Sequence, residues 1–131
     1  MIAISILFWI LAAICNAVMD VCDHHFDGSI FNSRLFNACW WKTEYSWTNK
    51  YIFHNPKLGR RKWFYGLFNY PVQLTDSFHF FKMLMIIFLT CSVAFAYSYK
   101  SSLEVKLIII VFYGICWNVW FSLFYNKVFM K

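Results

Sequence analysis

Three long apolar runs without a charged residue constrain this chain more than any other feature of its sequence. They cover residues 2–19, 83–99 and 107–125, which are 18, 17 and 19 residues long. A helix rises about 1.5 Å per residue, so each run reaches roughly 26–29 Å, close to the hydrocarbon thickness of a bilayer. Only 14% of the residues are charged, whereas soluble domains carry about a quarter. The sequence therefore predicts an all-α membrane protein with three transmembrane helices.

A cleaved signal peptide is the alternative interpretation of the first run. No Lys or Arg precedes the run, although signal peptides begin with a basic segment. A lipoprotein-type cleavage before Cys15 would need a small residue there, and Ile14 is large. We therefore expect the segment to be retained as a helix.

Basic residues are distributed unevenly along the chain. Ten of the twelve Lys and Arg lie between the first two runs, at the start of the second or after the third. Only Lys100 and Lys106 lie in the link between the second and third runs. Because cytoplasmic loops are enriched in Lys and Arg, we predict an outside N-terminus with the loop and C-terminus in the cytoplasm. Because the chain is so apolar, we expect its excess of basic residues to interact with membrane lipids rather than with nucleic acid.

The loop between the first two helices combines basic residues with many aromatic rings. Trp and Tyr favour the headgroup level of a bilayer, where the ring is buried and its polar atom is hydrated. Asp27 and Gly28 form a turn signal that should end the first helix, and Ser29 is placed to cap a short helix through Phe36. We predict short interfacial helices in a cytoplasmic aromatic and basic loop that binds anionic headgroups.

A single membrane domain, residues 1–131, accounts for the whole chain. Within the third helix, Asn118 is expected to hydrogen-bond across helices. The predicted elements are a first helix at about 2–25, the loop at about 26–75, a second helix at about 76–99 and a third at about 106–126.

Ionisable residues cluster at the two helix ends that are predicted to reach the cytoplasmic surface. Asp20 and His24 are four residues apart, and Asp76 and His79 are three apart. Each pair therefore shares one helix face, and packing of the two helices would bring all four side chains to one depth. Two carboxylates and two imidazoles suit a divalent metal such as Zn²⁺, Fe²⁺ or Mn²⁺. Paired ligands on facing helices are a common way to build such a site in a bundle.

Three further residues, Asp23, Glu44 and Lys50, complete a hypothetical metal-dependent reaction. A bound metal would lower the pKa of a water molecule, Asp23 or Glu44 would move the proton, and Lys50 would hold an anionic headgroup. The same sequence also fits a purely structural interpretation. Asp76 would then be an ordinary helix N-cap, and Asp20 and Asp23 would belong to an internal ion network.

Four stretches of the sequence together resemble a family of small uncharacterised integral membrane proteins of Bacteroidetes-type bacteria and their phages. They are Ala17-Val18-Met19-Asp20, His24-His25-Phe26, Ser46-Trp47-Thr48-Asn49-Lys50-Tyr51 and Leu74-Thr75-Asp76-Ser77-Phe78-His79. The resemblance does not extend to the third helix and transfers no activity. It implies a location in the bacterial inner membrane and a motif set of Asp20, His24, Trp47, Asn49, Lys50, Asp76 and His79.

Three functions remain open from the sequence. The first is a membrane protein with a cytoplasm-facing Asp/His site that binds a metal. In its enzymatic version, the protein is a metal-dependent hydrolase that acts on a lipid or another amphiphile. The second is a non-enzymatic accessory subunit or self-associating membrane scaffold, which would work as a homo-oligomer or with a partner subunit. The third is a small pore or holin-like protein, but a pore needs a polar stripe along a whole helix and none of the three helices has one.

Overall fold

Helices form most of the part of the chain that the computed structural model describes, which is residues 2–51, 55, 57, 63–64, 68–69 and 74–130. The elements are α1 (Ile2–His24), α2 (Ala38–Trp41), α3 (Ser77–Tyr97) and α4 (Leu103–Leu123). The chain continues from α4 as a π-helical turn, so that its third apolar span extends over Leu103–Phe129. The three long helices are each long and apolar enough to cross a membrane. The predicted helical class and the number of candidate spans are thus confirmed.

Hydrogen-bonding side chains set the starts of two long helices. The carboxylate of Asp76 accepts from the backbone N–H of His79 at 3.0 Å and begins α3. The hydroxyl of Ser102 accepts from the N–H of Val105 at 3.5 Å and begins α4. This cap starts α4 at Leu103 rather than near residue 106, because a capping serine satisfies an N–H group of the first turn.

Helix α1 lies between the other two long helices and supplies most of the buried residues of the three. In the most apolar part of each span, 39% of α1 is buried, against 6% in α3 and 6% in the span that contains α4. Small residues on α1 explain this position, since Ala12, Ala13 and Ala17 are completely buried. Small side chains let helix backbones approach closely in a membrane bundle.

A short chain of hydrogen bonds joins the three long helices. The hydroxyl of Ser5 donates to the carbonyl of Ser92 at 2.6 Å, and the hydroxyl of Ser92 donates to the carbonyl of Ser5 at 2.8 Å. Tyr113 on α4 donates to the Ser5 hydroxyl at 2.5 Å. Asn118 does not join them as expected, because its amide donates to the carbonyl of Gly114 on its own helix at 2.8 Å.

The helix expected after Ser29 does not form, and residues 30–36 are turns and bends. The Ser29 hydroxyl donates to the carbonyl of Phe26 at 2.7 Å and accepts from the N–H of Phe31 at 3.2 Å. These local bonds compete with a helical cap, as serine side chains often do in turns. The short helices of the loop are instead α2 and single turns of 3₁₀-helix at Phe26–Gly28, Thr43–Tyr45 and Thr48–Lys50. A two-residue antiparallel pairing joins β1 (Trp63–Phe64) to β2 (Phe68–Asn69).

Aromatic rings at the ends of α1 and α4 form a second packed region. Phe31 and Trp41 stack with ring centroids 4.4 Å apart and planes within 9°, and Phe31 also contacts Phe129 at 5.3 Å. The segment after α4 is held there by the N–H of Ile30, which donates to the carbonyl of Phe129 at 2.8 Å. Many of the described loop aromatics therefore pack against each other, while Trp47 stays 56% exposed.

Candidate functional site

The polar residues singled out from the sequence lie at one end of the bundle, where α1 finishes and α3 begins. We call this the polar end. Residues 37–51, which we call the polar cap, lie across it. Thr43 of the cap donates to the carboxylate of Asp23 on α1 at 2.9 Å, and Ser77 of α3 donates to the carbonyl of Trp41 at 3.1 Å. The cap is therefore hydrogen-bonded to both helices.

The carboxylate of Asp76 is the most enclosed ionisable group at the polar end, with none of its surface exposed. The hydroxyls of Ser46 and Thr75 donate to Oδ2 at 2.8 and 2.7 Å. The backbone N–H of His79 donates to Oδ1 at 3.0 Å, and its ring Nδ1 lies 2.9 Å from Oδ2 and 3.0 Å from Oδ1. A carboxylate offers about four acceptor positions, so these donors use essentially all of them.

The same hydrogen bonds decide the charge of Asp76. Burial alone would raise the pKa of this carboxyl group, but the donors from His79, Thr75 and Ser46 outweigh burial. The pKa of Asp76 is therefore lower than its ordinary value of 3.8, because hydrogen bonds to the charged form stabilise it. Asp76 is ionised at neutral pH.

His79 is oriented by Asp76 but is not part of a nucleophilic relay. A carboxylate at Nδ1 fixes the ring proton on that nitrogen and leaves Nε2 as the basic atom. Ser46 lies 3.4 Å from the same Nδ1, whereas a catalytic serine and its acid contact opposite nitrogens of the histidine. Among the described residues Nε2 has no hydrogen-bond partner.

The ionisable residues of α1 form a separate and more exposed group. Nε2 of His24 lies 3.5 Å from a carboxylate oxygen of Asp23 and 4.0 Å from one of Asp20. The side chains of His24, Asp23 and Asp20 are 62%, 42% and 39% exposed. They face solvent at the end of the helix, in contrast to the enclosed carboxylate of Asp76.

A cleft of about 370 Å³ opens beside this group between α1 and the polar cap. Asp23, His24 and Glu44, all singled out from the sequence, line it together with Lys42 and Asp27. Lys42 Nζ lies 3.1 Å from Glu44 and 3.7 Å from Asp27. The pKa of Lys42 is raised, chiefly by the hydrogen bond with Glu44 and then by the charge of Asp27. The cleft carries more negative than positive side chains and suits a cationic ligand.

The structure brings the predicted site residues together in two groups rather than one. Asp76 and His79 contact each other, and His24 lies close to both Asp20 and Asp23, but within the described part of the chain no hydrogen bond or ion pair joins the two groups. Over the described ranges, no three His, Cys, Asp or Glu side chains are arranged to hold a metal ion. The side chain of Lys50 lies outside the described part, although its backbone belongs to the turn Thr48–Lys50.

Ser46 and Thr43 of the polar cap hydrogen-bond to carboxylates at the polar end, but the sequence pointed only to Ser46. Ser46 begins the motif stretch that continues through Asn49, while nothing distinguishes Thr43 from other loop residues. Asn49 is 2% exposed and its amide donates to the carbonyl of Cys39, so it fastens the cap internally. The structural interpretation of Asp76 as an N-cap is confirmed.

The fold and the polar end define a class of helical protein with three helices able to cross a membrane. Comparison of the chain with protein-family models, with curated proteins and with solved structures finds no match. The resemblance to the Bacteroidetes-type family stays a prediction.

Proposed function

We propose that this chain is a non-enzymatic membrane protein, an accessory subunit or self-associating scaffold, whose Asp and His residues hold the bundle and its cap together. The saturated carboxylate of Asp76 carries the proposal. A metal ligand or a general base needs a free lone pair. The lone pairs of Asp76 already accept hydrogen bonds from donors of the protein. The contacts of 2.9 and 3.0 Å to His79 are those of a hydrogen-bonded carboxylate–imidazole pair.

The surface of α4 supports a role in assembly. Tyr113 is its one buried residue, and Ile108, Val111 and Ile115 are 68%, 64% and 57% exposed. Lipid covers such a face in a monomer, and a second copy or a partner helix covers it in an assembly. Association in lipid depends on close packing rather than on the hydrophobic effect, so a partner helix would have to interdigitate with these Ile and Val side chains.

The test combines oligomer size with metal content on protein purified in detergent and reconstituted in nanodiscs. We expect a discrete oligomer or a co-purifying membrane subunit, less than stoichiometric metal, and His79→Gln and His24→Gln variants without any metal to lose. His79→Gln should also lower the unfolding temperature, while His24→Gln, on an exposed side chain, should not. A strict monomer without a partner would refute the scaffold.

A metal-dependent hydrolase remains the second candidate, favoured by the cleft that gathers Asp23, His24 and Glu44. Atoms bound about 2.1 Å from one metal lie roughly 3.0–3.4 Å apart, so the 3.5 Å between His24 and Asp23 needs little adjustment. A metal there would activate a water molecule, and Glu44, which lines the same cleft, would accept its proton. Stoichiometric metal that is lost in His24→Gln and kept in His79→Gln would favour this function over the scaffold.

A further inference from the structure

A second cleft lies at the opposite end of the bundle, which we call the hairpin end because residues 98–102 link α3 to α4 there. Its volume is about 580 Å³, within the range of roughly 300–1,000 Å³ that is usual for small-ligand sites. All three long helices contribute to its walls. The lining residues used below are Trp9, Val93, Ser101, Lys106, Tyr113 and Gly114.

One wall of this cleft is apolar although it contains Trp and Tyr. Trp9 Nε1 donates to the carbonyl of Tyr113 at 2.8 Å, and the Tyr113 hydroxyl donates to Ser5 at 2.5 Å. The two rings lie 5.1 Å apart. Because their polar atoms bond within the protein, the rings offer only carbon surface to a ligand.

Gly114 marks the open part of the cleft on α4. A Cβ atom built on Gly114 would meet nothing within 4 Å, so the space beside this residue is empty of protein. Lys106 and Tyr113 are seven residues apart and share one face of α4. Gly114 follows Tyr113 and borders that face, and all three residues line the cleft. Val111 lines a different, shallow groove on the other side of the helix.

Two polar groups that line the cleft lack partners among the described residues. The ammonium of Lys106 makes no ion pair there. The hydroxyl oxygen of Ser101 is buried and has no hydrogen-bond partner, which is uncommon because buried polar atoms are normally satisfied. A cation and an unsatisfied hydroxyl next to an apolar wall are complementary to an anionic group on a hydrocarbon chain.

We propose that the hairpin-end cleft binds a single-chain anionic amphiphile, with its chain along Trp9, Tyr113 and Gly114 and its head at Lys106 and Ser101. A fatty carboxylate and a lysophospholipid phosphate share this chemistry. The site is independent of the polar end and of the scaffold role. It assigns a ligand to the side of the bundle that the charge distribution predicts to be outside.

The experiment measures equilibrium binding of radiolabelled palmitate, lysophosphatidylglycerol and the neutral alcohol hexadecanol to the purified full chain in a non-ionic detergent. We expect both anions to bind more tightly than the alcohol, and the tighter of the two identifies the headgroup. Lys106→Gln should weaken both anions about fivefold and leave the alcohol unchanged, and Lys106→Arg should restore them. Lys100→Gln is the matched control outside the cleft and should have no effect.

Filling the cleft tests the chain-binding part. Gly114→Leu should displace about two methylenes of the ligand and weaken all three ligands roughly tenfold. Val93→Phe narrows the cleft from α3 and covers the case in which Gly114→Leu does not fold. Val111→Leu, on the other side of α4, should bind like the parent protein. Equal binding of palmitate and hexadecanol, or unchanged binding in folded Gly114→Leu and Val93→Phe, would overturn the proposal.

Discussion

Replacing Asp76 by Asn should destabilise the protein more than any other single charge removal at the polar end. Asp76 is completely buried and accepts from two hydroxyls, a backbone N–H and the ring of His79. Loss of an N-cap costs about 1 kcal/mol, and leaving buried hydrogen-bond donors unsatisfied costs about 1–3 kcal/mol. Asn keeps one acceptor oxygen for the cap but turns an N–H₂ group towards the donors. We therefore expect Asp76→Asn to lower the free energy of unfolding by about 2–4 kcal/mol.

Asp27→Asn is the matched control, because it removes the same charge from the same end of the bundle. The Asp27 side chain is 80% exposed and lies 3.7 Å from Lys42, so its loss should cost less than about 1 kcal/mol. The measurement is reversible unfolding in mixed micelles, followed by tryptophan fluorescence. If the two variants differ by less than about 0.5 kcal/mol, Asp76 is not the fastening point that its hydrogen bonds indicate.

Three further outcomes follow from the geometry. The stability that ionised Asp76 contributes is fully present above its unfolded pKa, near 3.8, and is lost as the pH falls through its lower folded pKa. The parent protein should therefore show an acid unfolding transition below pH 3.8, and Asp76→Asn should lack that transition. Ser92→Ala should lower stability by about 0.6–1.7 kcal/mol, whereas Ser98→Ala, on an exposed side chain, should change it little, as thermal melts in detergent will measure. In sealed spheroplasts, impermeant maleimide should label Lys100→Cys and leave Cys39 unlabelled until lysis, and the reverse pattern would contradict the predicted topology.

The three long helices were predictable because uncharged runs of bilayer length leave few alternatives. Their ends were harder, since Ser102 starts α4 earlier than the apolar run suggested. The sequence also predicted a helix after Ser29 that does not form. The Ser29 hydroxyl makes hydrogen bonds within a local turn instead of capping a helix. Capping chemistry identifies candidates, but the competing local bonds decide which of them begins a helix.

At the polar end, helical spacing identified the Asp76–His79 and Asp20–His24 pairs but not how the two pairs are placed relative to each other. Asp76 and His79 were expected to meet, and they do. Spacing within each helix carries no information about the rotation of one helix against another, so convergence with Asp20 and His24 could not be derived. The partners of Asp76 from the cap, Ser46 above all, depend on how an irregular loop folds back, which single-sequence patterns do not record.

The Ser5–Ser92 pair has a consequence for the order in which the protein is assembled. The two residues are 87 positions apart, so at about 5–20 residues per second α1 emerges roughly 4–17 s before its partner serine is made. Helix α1 has the highest mean hydropathy of the three spans, 2.4 against 2.0 and 2.1, although its small-residue face is the most buried in the finished bundle. If the chain is inserted during synthesis, the large apolar side chains of α1 would hold this helix in the bilayer before the other two helices are made. The arrival of α3 would then close the serine pair and fix the register of the two helices.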